Sequence, residues 1–228
     1  RLSMEDPTFD ADVNVVGLVN ILQSFNPEKM PHFVFLSTGG AIYGEQEYHP
    51  ADEAHPLRAN SVYGLAKRVG EMYLEFWNRE LGLKFTALRL GNVYGPRQNP
   101  HGEAGVVAIF NKKLIAGEVP TINGTGEQTR DYVYVKDVAR AVEAVALKKI
   151  TGIYNIGTGR ETSVNTLYSM IIKALGTTTK ANNGEAKAGE QMRSSISAAA
   201  ALKAFDWKPE VTLEEGCIQT SKWFQAER

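Results

Sequence analysis

The 228-residue chain has a single cysteine, Cys217, so an intrachain disulfide is excluded and the usage fits a reducing compartment. No apolar run approaches the roughly 20 residues that span a bilayer. The opening Arg1-Leu2-Ser3-Met4-Glu5-Asp6 lacks the organisation of a signal peptide. These absences predict a cytoplasmic protein without a membrane partner. Charge of one sign is also lacking: the formal net charge is −1, which gives no reason to expect nucleic acid. No solenoid repeat occurs, and the one low-complexity tract is the short run Ala198 to Ala201. No metal ligand set is assigned. The chain also lacks a G-x-G-x-x-G turn of the kind that seats a pyrophosphate on a helix N-terminus. Gly124-Thr125-Gly126 and Gly157-Thr158-Gly159 miss the third glycine and do not open a βαβ unit, so they read as turns.

What remains is ordinary globular composition, 43% hydrophobic and 22% charged, enough for one large domain or one plus a small lobe. Asp10 is positioned to cap a helix through Val13 to Leu22, with Asn14 inside it. His32 to Leu36 is a short apolar run that reads as a buried parallel strand. It ends in Ser37-Thr38-Gly39-Gly40, placing hydroxyls and a permissive backbone at a strand's carboxyl end, where open α/β sheets bind ligands. A polar loop, 45 to 60, leads into a long helix with two apolar stripes, Leu65/Val69/Met72/Phe76 and Tyr63/Lys67/Gly70/Leu74. Two stripes imply burial on two sides.

Further on, Lys84 to Leu90 reads as a strand, followed by a loop from Gly91 to Gly105 and a helix from Ala104 to Ala116. A short strand at Thr121-Ile122 and a strand from Arg130 to Val135 come next, then Asp137 as the cap of a helix to Leu147. A strand at Gly152 to Ile156, a helix capped by Ser163, a polar loop to Glu190 and a helix from Leu213 to Gln225 complete the pattern. Strands alternating with helices of this length predict a parallel α/β sheet.

At the start of the long helix, Tyr63 and Lys67 stand at i and i+4 and project from one face. An ammonium beside a phenol favours the phenolate, which predicts a lowered Tyr63 pKa. The same ammonium can bind ribose hydroxyls. The pair is suited to removing an alcohol proton while its carbon loses a hydride. The spacing also arises by chance, so its context decides.

That context resembles the extended short-chain dehydrogenases of the nucleotide-sugar epimerase and dehydratase family, and within it the UDP-hexose 4-epimerases. The resemblance covers essentially the whole chain. It rests on Ser37 to Gly44 (STGGAIYG), Tyr63 with Lys67, Leu88 to Arg97 (LRLGNVYGPR), Arg130 to Val135 (RDYVYV) and Tyr154 to Gly159 (YNIGTG). It implies a truncated doubly wound parallel Rossmann-like sheet with a smaller C-terminal α/β lobe. Residues 1–92 would be the C-terminal part of an NAD-binding domain. Residues 93–228 would mainly form a nucleotide-sugar lobe, with about 130–160 returning to the sheet.

By the same resemblance Tyr63 is the acid/base, Lys67 holds the nicotinamide ribose, and Ser37 and Asn14 border the NAD. Thr38 stands in as the hydroxyl that contacts the reacting oxygen, because the family's Ser/Thr aligns with Gly39. Asn92 and Gly39 meet the sugar nucleotide. Arg130 meets its diphosphate, Lys187 and Glu190 take part in binding its UDP, and Ser194 borders the sugar's C2 substituent. An alternative for Arg130 is a strand-end ion pair with Asp131 or Asp137. A UDP-sugar is the implied partner, and a homodimer through helices around 11–24 and 61–80 is expected.

The implied reaction is NAD-dependent 4-epimerisation of UDP-glucose/UDP-galactose through a 4-keto intermediate. Alternatives are a nucleotide-sugar dehydratase or decarboxylase, or a chain that binds sugar nucleotide without turnover. A dehydratase needs an Asp-Glu pair where this chain has Gly39-Gly40. The absent glycine-rich turn predicts a fragment from which on the order of 80 upstream residues are missing, at about 30 per βαβ unit.

Overall fold

The computed structural model describes residues 2–101, 105–186 and 189–227. The chain opens in two short helices, α1 (Leu2–Glu5) and α2 (Pro7–Ala11). Asp6, not Asp10, caps α2: its carboxylate accepts the Phe9 N–H at 3.0 Å. Pro7 fills the first helical position, where a missing N–H costs nothing. The sequence-based cap at Asp10 is therefore corrected, because the Asp6-Pro7 signal starts the helix a turn earlier. One wide π turn, Asp12–Val16, follows and runs into α3 (Gly17–Gln23).

Next come β1 (His32–Thr38), the single turn α4 (Gly39–Ile42) and the 20-residue α5 (Val62–Leu81). Ser61 caps α5 by accepting Gly64 N–H at 3.1 Å, and Gly82 closes it in the left-handed region at φ 74°. The chain continues through β2 (Lys84–Leu90), β3 (Asn92–Tyr94), α6 (Val106–Ile115), β4 (Thr121–Asn123), β5 (Thr129–Arg130), β6 (Tyr132–Tyr134) and α7 (Val135–Lys148). It ends with β7 (Gly152–Ile156), β8 (Thr162–Ser163), α8 (Val164–Leu175), β9 (Asn182–Gly184), α9 (Ala199–Phe205) and α10 (Leu213–Ala226).

The main sheet has the order β1-β2-β7, all parallel, with Phe35 opposite Ala87 and Leu88 opposite Tyr154. Central β2 is buried from Phe85 through Arg89, as expected of a strand covered on both faces. On one face Phe35, Phe85 and Ala87 pack against Leu18, Leu22 and Leu74 of α3 and α5. On the other, Leu88 and Ile156 pack against Val138, Ala141 and Val145 of α7, with Ala201 and Phe205 of α9. A third core, rich in tyrosine, joins α6, α8 and α10 around Tyr94, Phe110, Tyr132, Tyr134 and Leu167.

Several sequence expectations change here. The stretch read as one strand, Arg130 to Val135, splits at Asp131: β5 pairs antiparallel with β8, and β6 pairs parallel with β3. Asp131 turns inward and cannot continue a straight ladder. Asp137 is no cap, since α7 begins at Val135. Its buried carboxylate instead accepts the backbone N–H groups of Glu210 and Val211, each at 3.1 Å, and the guanidinium of Arg140 at 2.6 Å. Strands β3 and β9 fall in segments read as loops, and α9 forms on the alanine run. Among the described residues no helix is long and apolar enough to cross a membrane.

Candidate active site

Tyr63 and Lys67 occupy the first turns of α5, beside the carboxyl end of β1. The start of α5 presses on α4, where a Cβ at Gly64 would come 2.7 Å from the Ala41 carbonyl oxygen. Glycine is needed there to bring Tyr63 this close to the strand end. Lys67 Nζ lies 5.7 Å from the Tyr63 ring centroid and 4.9 Å from that of Phe35. Tyr63 keeps 38% of its surface exposed, so a ligand can reach it.

The expected lowering of the Tyr63 pKa is not what the structure shows. Burial, reinforced by the Asp10 carboxylate, pushes the phenol up. Burial also pulls the Lys67 ammonium down, with Asp10 opposing. Both charged forms are disfavoured by lost hydration, and at Tyr63 this cost outweighs the attraction of the neighbouring ammonium for a phenolate.

Asn14 lies in the π turn and donates from Nδ2 to both the Asp10 carbonyl and Asp10 Oδ1, each at 3.2 Å. Asp10 is 9% exposed and its Oδ2 is a buried acceptor without a donor. Among the described residues Lys67 Nζ has neither a hydrogen bond nor an ion pair. An unmatched acceptor beside a half-buried ammonium fits a polyhydroxylated ligand, and so fits the ribose end of NAD. The other end of a dinucleotide has no glycine-rich turn in these 228 residues.

Ser37 serves the interior. It is 3% exposed, and its Oγ donates to Glu71 Oε1 at 2.7 Å. Thr38 and Asn92 converge on Gly40, where a Cβ would lie 4.0 Å from Thr38 Oγ1 and 3.2 Å from Asn92 Oδ1. At Gly39 a Cβ would lie 2.5 Å from Ile196 Cδ1. Ile196 thus takes up the space in which a serine or threonine at 39 would place its side chain, and the chain's glycine there has a packing reason.

Some distance along the chain, Arg130 Nη2 lies 3.6 Å from Glu190 Oε1, and neither Asp131 nor Asp137 pairs with it. Asp131 is held by Thr158, Gly159 and Ile196 N–H groups and by Thr158 Oγ1. Burial nonetheless pushes its pKa up, against those donors. Arg130 and Glu190 line a cavity of about 370 Å³ together with Asn92, Asn123, Gln128 and Tyr132. Gln128 Nε2 donates to the Asn123 carbonyl at 3.1 Å. The cavity is a polar, cation-bearing cleft of the size that takes a small ligand. Ser194 is not among its lining residues and is buried, 2% exposed. Lys187 lies outside the described residues.

Sequence reasoning missed Glu71, Arg89, Tyr43 and Asn155, a buried polar chain under the site, and Asp10 as a charge facing it. A signal existed: Arg89 interrupts an apolar strand and Glu71 follows Lys67 by one turn, and buried charges are rare unless paired.

Against known proteins, residues 1–157 match the family model described as "NAD dependent epimerase/dehydratase family". A putative UDP-glucose 4-epimerase of Methanocaldococcus jannaschii is 44% identical over 225 residues, 99% of this chain and 73% of that protein. The solved UDP-glucose 4-epimerase of Thermotoga maritima with UDP-glucose superposes with a TM-score of 0.94 at 42% identity, covering 99% of this chain and 74% of that one. The Thermus thermophilus UDP-glucose 4-epimerase in complex with NAD gives 0.91 at 41% identity, covering 98% and 73%.

Proposed function

We propose that this chain, which belongs to the NAD dependent epimerase/dehydratase family, carries the proton-transfer and sugar-nucleotide sites of an NAD-dependent UDP-hexose 4-epimerase. The observation that carries this is the placing of Tyr63 and Lys67 on one face of α5 beside the β1 end that holds Thr38. NAD would be held at its ribose by Lys67 and would supply the hydride acceptor and donor for the sugar C4. Tyr63 holds the proton of the 4-hydroxyl at its phenolic oxygen and gives it back. Lys67 donates to ribose hydroxyls and orients them, and Thr38 donates to the reacting oxygen. Asn14 shapes the turn against which the cofactor's ribose would lie. Asn92 orients the sugar nucleotide, Arg130 faces the diphosphate with its fork of donors, and Glu190 holds Arg130 in place.

Residues 1–92 are read as part of the cofactor domain and 93–228 as mainly the sugar-nucleotide lobe. The return of about 130–160 to the sheet is supported by β7 pairing with β2. The test is interconversion of UDP-galactose and UDP-glucose with NAD supplied. Tyr63→Phe should lower turnover by about 100-fold or more and leave UDP binding by calorimetry unchanged. Turnover within a few-fold of the parent would remove Tyr63 from its role.

The assembly is read as a homodimer. Leu65, Met72 and Phe76 of α5 are exposed, as are Val13, Val16 and Ile21 of the preceding helical segment. Two apolar helix stripes of this kind suit a four-helix interface between copies. Phe76→Glu should shift sedimentation toward monomer, and an unchanged profile would set the reading aside.

A further inference from the structure

Beyond Lys67 the same face of α5 turns inward. Positions 63, 67 and 71 are a turn apart and share a stripe. Along it, exposure falls from 38% at Tyr63 to 0% at Glu71. A carboxylate at that depth persists only if it is fully paired, and Glu71 draws donors from two strands and from its own helix. Ser37 Oγ of β1 donates to Oε1 at 2.7 Å, and Arg89 of β2 reaches it as a fork, Nε to Oε1 at 3.0 Å and Nη2 to Oε2 at 2.7 Å. Arg68 approaches Oε2 at 3.4 Å.

The chain of bonds continues. Arg89 Nη1 donates to Tyr43 Oη at 3.0 Å, and Tyr43 Oη donates to Asn155 Oδ1 at 2.7 Å. Asn155 Nδ2 donates to the Ala51 carbonyl at 3.1 Å. Two strands of the main sheet therefore bond one residue of α5 directly, the third joins through Tyr43 and Arg89, and Ser37 adjoins Thr38. Apolar packing could hold α5 on the sheet, but it tolerates small rotations and slides. Directional bonds to a planar fork do not.

We propose that Glu71, through Arg89 and Ser37, is the positioning residue that fixes the height and rotation of α5, so that Tyr63 and Lys67 stand opposite Thr38. This rests on the reading of Tyr63 as the proton carrier. Glu71 touches no ligand and acts through the helix.

The test separates positioning from stability. In the paired variant Glu71→Met/Arg89→Met, two opposite charges leave together, so the direct field at Tyr63 changes little. Asp10 and Lys67, the charged groups beside Tyr63, are retained. Similar-sized apolar residues can restore the melting temperature of such a pair. Tyr63 is followed by NMR in protein carrying 13C-labelled tyrosine, its resonance identified by loss in Tyr63→Phe.

The paired variant should melt close to the parent, yet its Tyr63 titration midpoint should move by about half a unit or more. With NAD supplied, kcat for UDP-galactose should fall about tenfold or more at nearly unchanged KM. Recovery of stability together with the parental midpoint would overturn the proposal. Should that pair fold poorly, Glu71→Asp keeps charge and donors but shortens the reach. A displaced midpoint then supports positioning and an unmoved one refutes it. Full turnover in Tyr63→Phe would instead break the functional reading and leave the titration to decide on Glu71.

Discussion

Two regions of this molecule hold an arginine fork on a carboxylate in nearly the same geometry. Beneath the site Arg89 grips Glu71 through Nε at 3.0 Å and Nη2 at 2.7 Å. On the segment 191–197, a strap over the β7–β8 turn, Arg193 grips Glu161 through Nε at 3.0 Å and Nη2 at 2.5 Å. The settings differ. The side chains of the first pair are 3% and 0% exposed, whereas Arg193 is 58% exposed. Identical bonds therefore carry different consequences. In the interior, loss of one partner strands a charge where water cannot reach it, whereas at the surface water takes its place. Burial pulls the Arg89 pKa down, but its bonds to Glu71 and Tyr43 outweigh this and leave it raised.

The sharpest way to break the comparison is to delete one interior partner. Glu71→Ala should destabilise the chain by about 3–5 kcal/mol. That corresponds to a drop in melting midpoint of roughly 10 °C at 2–4 °C per kcal/mol, followed by circular dichroism. A change as small as at the surface pair would show that burial is not what distinguishes the two.

An intermediate effect is expected at Gly39, where the two regions touch. A Cβ there meets Ile196 of the strap at 2.5 Å and the Arg89 carbonyl oxygen at 3.3 Å. Ile196 cannot retreat freely, because it also abuts Gly157. Gly39→Ser should cost about 1–3 kcal/mol through overpacking, and Ile196→Ala in the same chain should recover part of it. Urea midpoints of the single and double variants test this, and additive losses would contradict the shared space.

The smallest effect belongs to the surface pair. The hydrogen bond from Arg193 holds the Glu161 carboxyl at about 2, below its usual 4.5. A depressed folded-state pKa contributes stability above the unfolded value, and that contribution is lost as pH falls from about 4.5 through about 2. Glu161→Gln should remove this contribution, about 1 kcal/mol or less because Arg193 is so exposed. The stability gap between parent and variant, measured in urea at near-neutral pH, should close in acid. A gap independent of pH would place the effect outside the ion pair.

Part of this site was legible in the sequence. The i, i+4 spacing of Tyr63 and Lys67 needs only helical pitch, and Ser61 marks where that pitch begins. Thr38 at the end of an apolar run needs only strand period and the habit of parallel sheets. Arg130 with Glu190 was reached through resemblance, since 60 residues separate them and no local rule links them. The sequence carried no hint that the strap would deliver Ile196 onto Gly39, nor that Asp6 would displace Asp10 as the cap and leave that carboxylate facing Tyr63.

By itself the sequence determined the alternation of strand and helix, the parallel sheet and the face of α5 that bears chemistry. These follow from periodicity, caps and turn residues, all of which act within a few positions. Only the tertiary structure decided the protonation tendencies of Tyr63 and Lys67, the retreat of Ser37 into the interior and the pairing of Glu71 with Arg89. Desolvation and long-range pairing depend on which distant segments exclude water from a group, and that is fixed only once the chain has closed around it.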